Sequence, residues 1–166
     1  MNRIERLVQN LKMQPHPEGG FFAETYRSEL RTDVPWTTDP SNPQRNICTG
    51  IYFLIPAGQF SAFHRIQSDE MWHHYEGDSV RIHEIGGQGA RATVVGPAAD
   101  PLRYQYVVPA GQWFASECEP GEFGYCLVGC TVSPGFDFSD FELARRQELM
   151  GSYPEHGALI ERLTRI

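Results

Sequence analysis

Apolar residues first recur at helical spacing. Ile4, Leu7, Val8 and Leu11 fall at i, i+3, i+4 and i+7, which predicts a short amphipathic helix over 3–13. Pro15 and Pro17 forbid its continuation. From Glu18 the period changes. Nine runs rich in β-branched and aromatic residues follow, at 21–26, 47–55, 59–65, 70–76, 79–85, 91–95, 103–108, 112–117 and 123–132. Turn formers separate them, among them Pro56-Ala57-Gly58, Glu76-Gly77-Asp78, Pro109-Ala110-Gly111 and Glu119-Pro120-Gly121. Several runs alternate, as Val80 and Ile82 do against Arg81 and His83, so one face is buried and the other wet. The Pro-rich stretch 33–46 reads as an excursion loop bordering a site. Ser139 and Glu142 form a capping box that predicts a helix over 140–150 ended by Gly151, and Pro154 opens a last helix over 154–165. This is a mainly β chain, a sandwich or barrel over about 18–133 flanked by helices.

At 166 residues the chain reads as one domain, 1–166, with core enough to need no staples. Lys plus Arg number 14 against 21 Asp plus Glu, a net charge of −7, and no basic run interrupts the acidity. Nucleic acid is therefore not an expected partner. No run is apolar enough for a membrane helix, and the charged start Met1-Asn2-Arg3-Ile4-Glu5-Arg6 lacks a signal-peptide core. A cytoplasmic location is expected. Cys48, Cys118, Cys126 and Cys130 contain no CxxC, and on a strand Cys126 and Cys130 lie about 13 Å apart. They read as reduced, buried small hydrophobes.

Two segments stand out chemically. The first runs from Gly58 through His64 and Glu70 to Gly77; the second is Pro109-Ala110-Gly111-Gln112-Trp113-Phe114. They resemble the paired motifs of the cupin superfamily, with Ile66 in place of the second histidine of the first motif and Phe114 in place of the histidine of the second. A closer resemblance spans nearly the whole chain. Pro17-Glu18-Gly19-Gly20, Thr49-Gly50-Ile51-Tyr52, Ser61-Ala62-Phe63-His64-Arg65, Ser68-Asp69-Glu70-Met71-Trp72-His73, the run 108–114 and the run 129–138 look like the Cupin_5 family, catalogued as a domain of unknown function. That resemblance implies a cupin jelly-roll barrel (a double-stranded β-helix), a homodimer, and a pocket inside the barrel.

Alternation gives the site without the family. If His64 points inward, so do Ala62 and Ile66; if Glu70 does, so do Trp72, His74 and Glu76, while His73 faces out. His64, Glu70 and His74 would then converge among apolar Ile66, Trp72 and Phe114, the profile of a small-molecule pocket. Two imidazoles and a carboxylate could hold a divalent transition metal (Zn, Fe, Mn or Ni). Without metal, His64 and Glu70 could move a proton beside a bound carbonyl or hydroxyl.

Each of these residues also has a plainer reading. His64 can be a satisfied barrel histidine, Glu70 a surface carboxylate paired with Arg65, and the His73-His74 pair can straddle a wet strand. With Ile66 and Phe114 at ligand positions, an empty metal site is a standing alternative. Trp72 and Trp113 read as core or as platforms for a sugar face. Tyr52 and Tyr125 line the cavity only if their strand faces point inward. Arg65 or Arg45 could hold an anion at the mouth, whereas His16, His83 and His156 read as loop or surface positions. The functional expectation is a small polar metabolite, such as a sugar phosphate or nucleotide sugar, acted on by isomerase- or epimerase-type proton transfer. This rests on analogy with other cupins. The alternative is a non-catalytic ligand-binding or structural cupin.

Overall fold

In a computed structural model, residues 1–37 and 39–165 are described. In chain order the elements are α1 (Arg3–Asn10), β1 (Gln14–Pro15), β2 (Phe21–Arg27), β3 (Arg31–Asp33), β4 (Gln44–Asn46), β5 (Thr49–Pro56) and β6 (Phe60–Arg65). There follow β7 (Asp69–Gly77), β8 (Val80–Gly86), β9 (Gly89–Val95), β10 (Gln105–Val108), β11 (Trp113–Cys118) and β12 (Tyr125–Ser133). The chain closes with a 3₁₀ turn (Phe138–Asp140), β13 (Glu142–Leu143), α2 (Arg146–Ser152), a second 3₁₀ turn (Pro154–His156) and α3 (Gly157–Arg162). All nine predicted strands are present, with ends shifted by a residue or two. The excursion 33–46 carries a small hairpin of its own, β3 against β4.

Two antiparallel sheets face each other. One has the order β1-β2-β5-β12-β7-β10 and the other β13-β6-β11-β8-β9. This is the expected cupin architecture, a jelly roll of two opposed sheets. Phe53, Ile55, Trp72, Ile82, Phe114 and Val128 fill the space between them. α1 covers part of the outer face of the six-stranded sheet, setting Leu7 against Leu54 and Leu127. α2 and α3 cover the outer face of the five-stranded sheet through Leu149, Ile160 and Leu163. No described helix is long and apolar enough to cross a membrane.

The C-terminal helix expected over 140–150 starts later. Its proposed cap is already engaged: Asp137 accepts from the Ser139 amide and hydroxyl and caps a 3₁₀ turn instead. Asp140 turns to Arg45, with N–O distances of 2.6 and 2.7 Å. The chain then extends as β13, pairing Leu143 with His64, and α2 begins only at Arg146. Tertiary partners thus overrode a sound local signal.

All four cysteines are free, and Cys118, Cys126 and Cys130 are buried.

Candidate functional site

At one end of the space between the sheets lies a cavity of about 320 Å³. Its floor is polar and comes from three separate elements. His64 projects from β6, Glu70 from the start of β7, and Glu18 from the turn before β2. Alternation on β7 puts Glu70 and Trp72 on the inner face, and their partners across β12, Val132 and Cys130, share that face.

Glu18 reaches the floor because its turn is made of glycine. Gly19 and Gly20 adopt φ of +117° and +72°. A Cβ on Gly19 would stand 2.2 Å from the Phe60 carbonyl, so no side chain fits. The Ala62 amide donates to the Glu18 carbonyl at 2.8 Å, stitching the turn to β6. Arg165 donates to the carbonyls of Glu18 and Phe60.

The result is a buried ion pair. His64 Nε2 lies 3.0 Å from Glu18 Oε2, and both side chains are under a tenth exposed. His64 Nδ1 is 2.7 Å from the Ala62 carbonyl, which can only accept, so Nδ1 carries a hydrogen and Nε2 is the titrating atom. Burial alone would depress the imidazole pKa, but the Glu18 carboxylate outweighs it and holds it above its ordinary value. Burial alone would raise Glu18, and the His64 charge holds it below its ordinary value. Glu70 has no such partner: burial pushes its pKa up to about 7 against the opposing pull of His64. Two carboxyl groups in one cavity are therefore driven in opposite directions, Glu18 toward its ionised form and Glu70 toward its neutral form.

His16 completes the floor. Its Nδ1 accepts from the Glu18 amide at 3.3 Å and lies 3.6 Å from Glu18 Oε2. Burial lowers its pKa despite the neighbouring carboxylate, so the ring is neutral and carries its hydrogen on Nε2. Aromatic rings form the walls. His16 lies edge-on to Phe22 at 4.7 Å and stacks on Phe138 at 5.9 Å, while Phe141 is 5.4 Å from His64. Phe138 and Phe141 belong to the segment that the Arg45–Asp140 pair anchors. Phe114, at the position where the superfamily motif has histidine, packs on His64 at 4.1 Å.

Of the residues read from the sequence, His64 and Glu70 line this cavity, as does Ile66. The others lie elsewhere. His74 is four residues along the strand from Glu70, about 13 Å away, with Trp72 between them. Its Nε2 is held 3.0 Å from the Asp78 carbonyl. Trp72 is core, edge-on to Phe53 and Phe114. A bulge at Tyr75 shifts the β7–β12 register, and Glu76, expected inside, turns out to meet Arg3 and Tyr125. Tyr52 and Tyr125 belong to the outer cluster under α1. Arg65 points away, donating to Glu142 at 2.6 Å and lying 4.4 Å from the centre of the Trp113 ring. Arg45 is buried on Asp140, outside the cavity wall.

The metal set His64, Glu70 and His74 therefore does not converge, and the residues do not fit a divalent ion. His64 Nε2 faces Glu18 itself. Among the described residues, no three His, Cys, Asp or Glu side chains form a metal-holding group.

Sequence reasoning missed Glu18 and His16. His16, read as loop or surface, is in the floor, and His83, read the same way, is buried 2.8 Å from Glu117. A signal for Glu18 was present: a carboxylate ahead of two glycines, where only a backbone needing positive φ requires both.

The likenesses to known proteins agree with this architecture. The uncharacterized protein YML079W of Saccharomyces cerevisiae is 28% identical over 164 residues, covering 87% of this chain and 77% of its own. A hypothetical protein from Leishmania major superposes with a TM-score of 0.88 at 34% identity, covering 100% of both chains. Protein SO0799 from Shewanella oneidensis gives 0.83 at 38% identity, covering 99% of this chain and 98% of its own. Oxalate decarboxylase from Bacillus subtilis, at 11% identity and a TM-score of 0.55, matches 90% of this chain and 36% of its own and shares the fold alone. The Cupin_5 model, described as Cupin superfamily (DUF985), matches residues 5–144, and the chain belongs to that family.

Proposed function

We propose that this cupin binds a small polar metabolite in the cavity and transfers a proton on it, in the manner of an isomerase or epimerase. The observation that carries the reading is the contrast between Glu18, held ionised by His64, and Glu70, held near pH 7 beside it. Such a pair supplies a base and an acid in one site, and each correctly placed group is worth roughly 10²–10⁴-fold in rate. Glu70 in its neutral form donates to a ligand carbonyl or hydroxyl. The proton removed from the ligand passes to the Glu18 carboxylate, while the His64 imidazolium stays paired with it. Phe114 and Ile66 keep water from the floor and raise the worth of each charge. Arg65 and Arg45 are committed elsewhere, so the phosphate of a sugar phosphate or nucleotide sugar finds neither of them at this cavity.

The test is solvent exchange. Candidate sugars and hydroxy-carbonyl compounds that raise the melting temperature are incubated in D₂O and followed by NMR. Deuterium should enter at the carbon beside the carbonyl with wild-type protein and not with Glu70→Gln. Ligands that bind well and never exchange would leave the non-catalytic ligand-binding cupin as the better account.

We also propose a homodimer formed through the part of the six-stranded sheet that α1 leaves open. Tyr75 and Val107 stand on that sheet 54% and 38% exposed. A monomer in sedimentation equilibrium would refute it.

A further inference from the structure

The walls of the cavity and the state of its hydrogen-bonding groups specify the charge of what it takes. Its cations are already committed. Arg27 grips Glu24 with both sides of its fork, at 2.9 and 2.7 Å, and gives its remaining terminal nitrogen to Asn46 and the Phe136 carbonyl. His64 uses one ring nitrogen on Ala62 and the other on Glu18. The acceptors are not committed to the same degree. Glu70 is more than nine-tenths buried and lines the cavity beside Cys130, and among the described residues no charged donor stands at hydrogen-bond distance from it. Asp137 also lines the cavity and accepts from Ser139, whereas Glu24 is neutralised by Arg27.

Above this acidic floor the walls are π-faces. Phe136 and Phe138 pack edge to face at 4.9 Å, and Phe138 and Phe141 at 6.0 Å, and His16 joins this group beside Phe138 and Phe22. Rings around a carboxyl-bearing pocket attract an alkylated cation, whose methyl groups fill the apolar space while its charge meets the ring faces. An anion would meet Asp137 and hold Glu70 in its neutral form, with no uncommitted cation among the described lining residues, whereas a cation would draw Glu70 into its charged form. A neutral molecule of the same shape would gain the packing and lose the charge.

We infer that the cavity selects a small organic cation, an alkylammonium head, over neutral and anionic molecules of equal shape. This rests on the reading of the cavity as a ligand site and names the chemistry of its ligand.

Three shape-matched probes test it on the full chain by calorimetry: choline, 3,3-dimethylbutan-1-ol and 3,3-dimethylbutanoate. Choline should bind at least about tenfold more tightly than the alcohol, and the butanoate more weakly than both. Phe138→Ala removes a half-exposed ring without touching the core, so it should keep the melting temperature and lose several-fold in choline affinity. Glu70→Gln should narrow the gap between choline and the alcohol. Equal binding of choline and alcohol, preference for the butanoate, or failure of choline to bind would each overturn the inference. If neutral hydroxy-carbonyl compounds still stabilise the protein and exchange deuterium while choline fails, the cation inference falls and the proton-transfer reading stands.

Discussion

His64 Nε2 and Glu18 Oε2 lie 3.0 Å apart, each on a side chain under a tenth exposed, and each holds the other in its charged form. The chain brings them together from two places, the glycine turn ahead of β2 and the end of β6. Neither charge is tolerable there alone. Removing one partner of a buried pair typically costs about 3–5 kcal/mol, because it strands the other charge.

Glu18→Gln keeps the shape and removes the charge. With Glu18 neutral, burial dominates His64, and its imidazole pKa should fall from above 6.5 to below it. Imidazole resonances followed through a pH titration report this directly. Loss of stability on the order of 3 kcal/mol should accompany it. An unmoved His64 titration would show that Glu18 does not set its charge.

Glu70 works in the opposite sense. Its pKa rises from 4.5 unfolded to about 7 folded, so between those values the folded state binds the extra proton. The contribution of Glu70 is fully present below about 4.5 and is lost as pH rises toward 7. Glu70→Gln cannot ionise. Its stability relative to wild type should therefore climb across that window and level off above it, by an amount on the order of 3 kcal/mol. Urea denaturation of both proteins at a series of pH values measures the difference. A constant offset across pH would mean that Glu70 is solvated.

Nine strands and the inward side of His64 and Glu70 were legible because alternation and turn residues are local signals. The remainder depended on long-range partners. Tyr75 bulges against β12, which no count along β7 foretells, and this turned Glu76 outward. The capping box at Ser139 is a sound local signal outbid by Arg45, a residue far away in sequence. Glu18 leaves no mark in hydrophobic periodicity, and its burial is signalled only by the two glycines whose backbone dihedrals turn it inward. His74 has the right parity but sits too far along the strand, a matter of rise per residue that parity ignores.

Gly19→Ala tests the turn. The added Cβ would meet the Phe60 carbonyl at 2.2 Å in a conformation that L residues rarely adopt. Destabilisation of about 3 kcal/mol or more is expected. Because β6 must also shift, the His64 resonances should move with it. A near-neutral Gly19→Ala would contradict the placement of Glu18.

Arg45→Ala removes the clamp on the aromatic wall. Arg45 is 3% exposed and donates to Asp140 and Ser139, so truncation strands Asp140, itself only a tenth exposed. A cost of about 3–5 kcal/mol should appear in chemical denaturation. Amide exchange should quicken first over 136–141, since the segment loses its anchor while the sheets keep theirs. Faster exchange spread evenly over the sheets would instead place Arg45 in the global core.

His74→Ala separates the two arrangements of the site, the one that parity suggests and the one that the fold builds. Were His74 a partner of His64 and Glu70, its loss would shift the titration of both and weaken any ligand in the cavity. In the folded chain its ring lies beside Gly96 and Tyr104 and bonds the Asp78 carbonyl. His74→Ala should therefore cost about 1–2 kcal/mol for a lost, partly buried hydrogen bond. The His64 pKa and the affinity for a cavity ligand should both stay at wild-type values. Measuring stability and the His64 titration on the same sample distinguishes the cases: a stability change alone fits the observed geometry, and a matching shift at His64 refutes it.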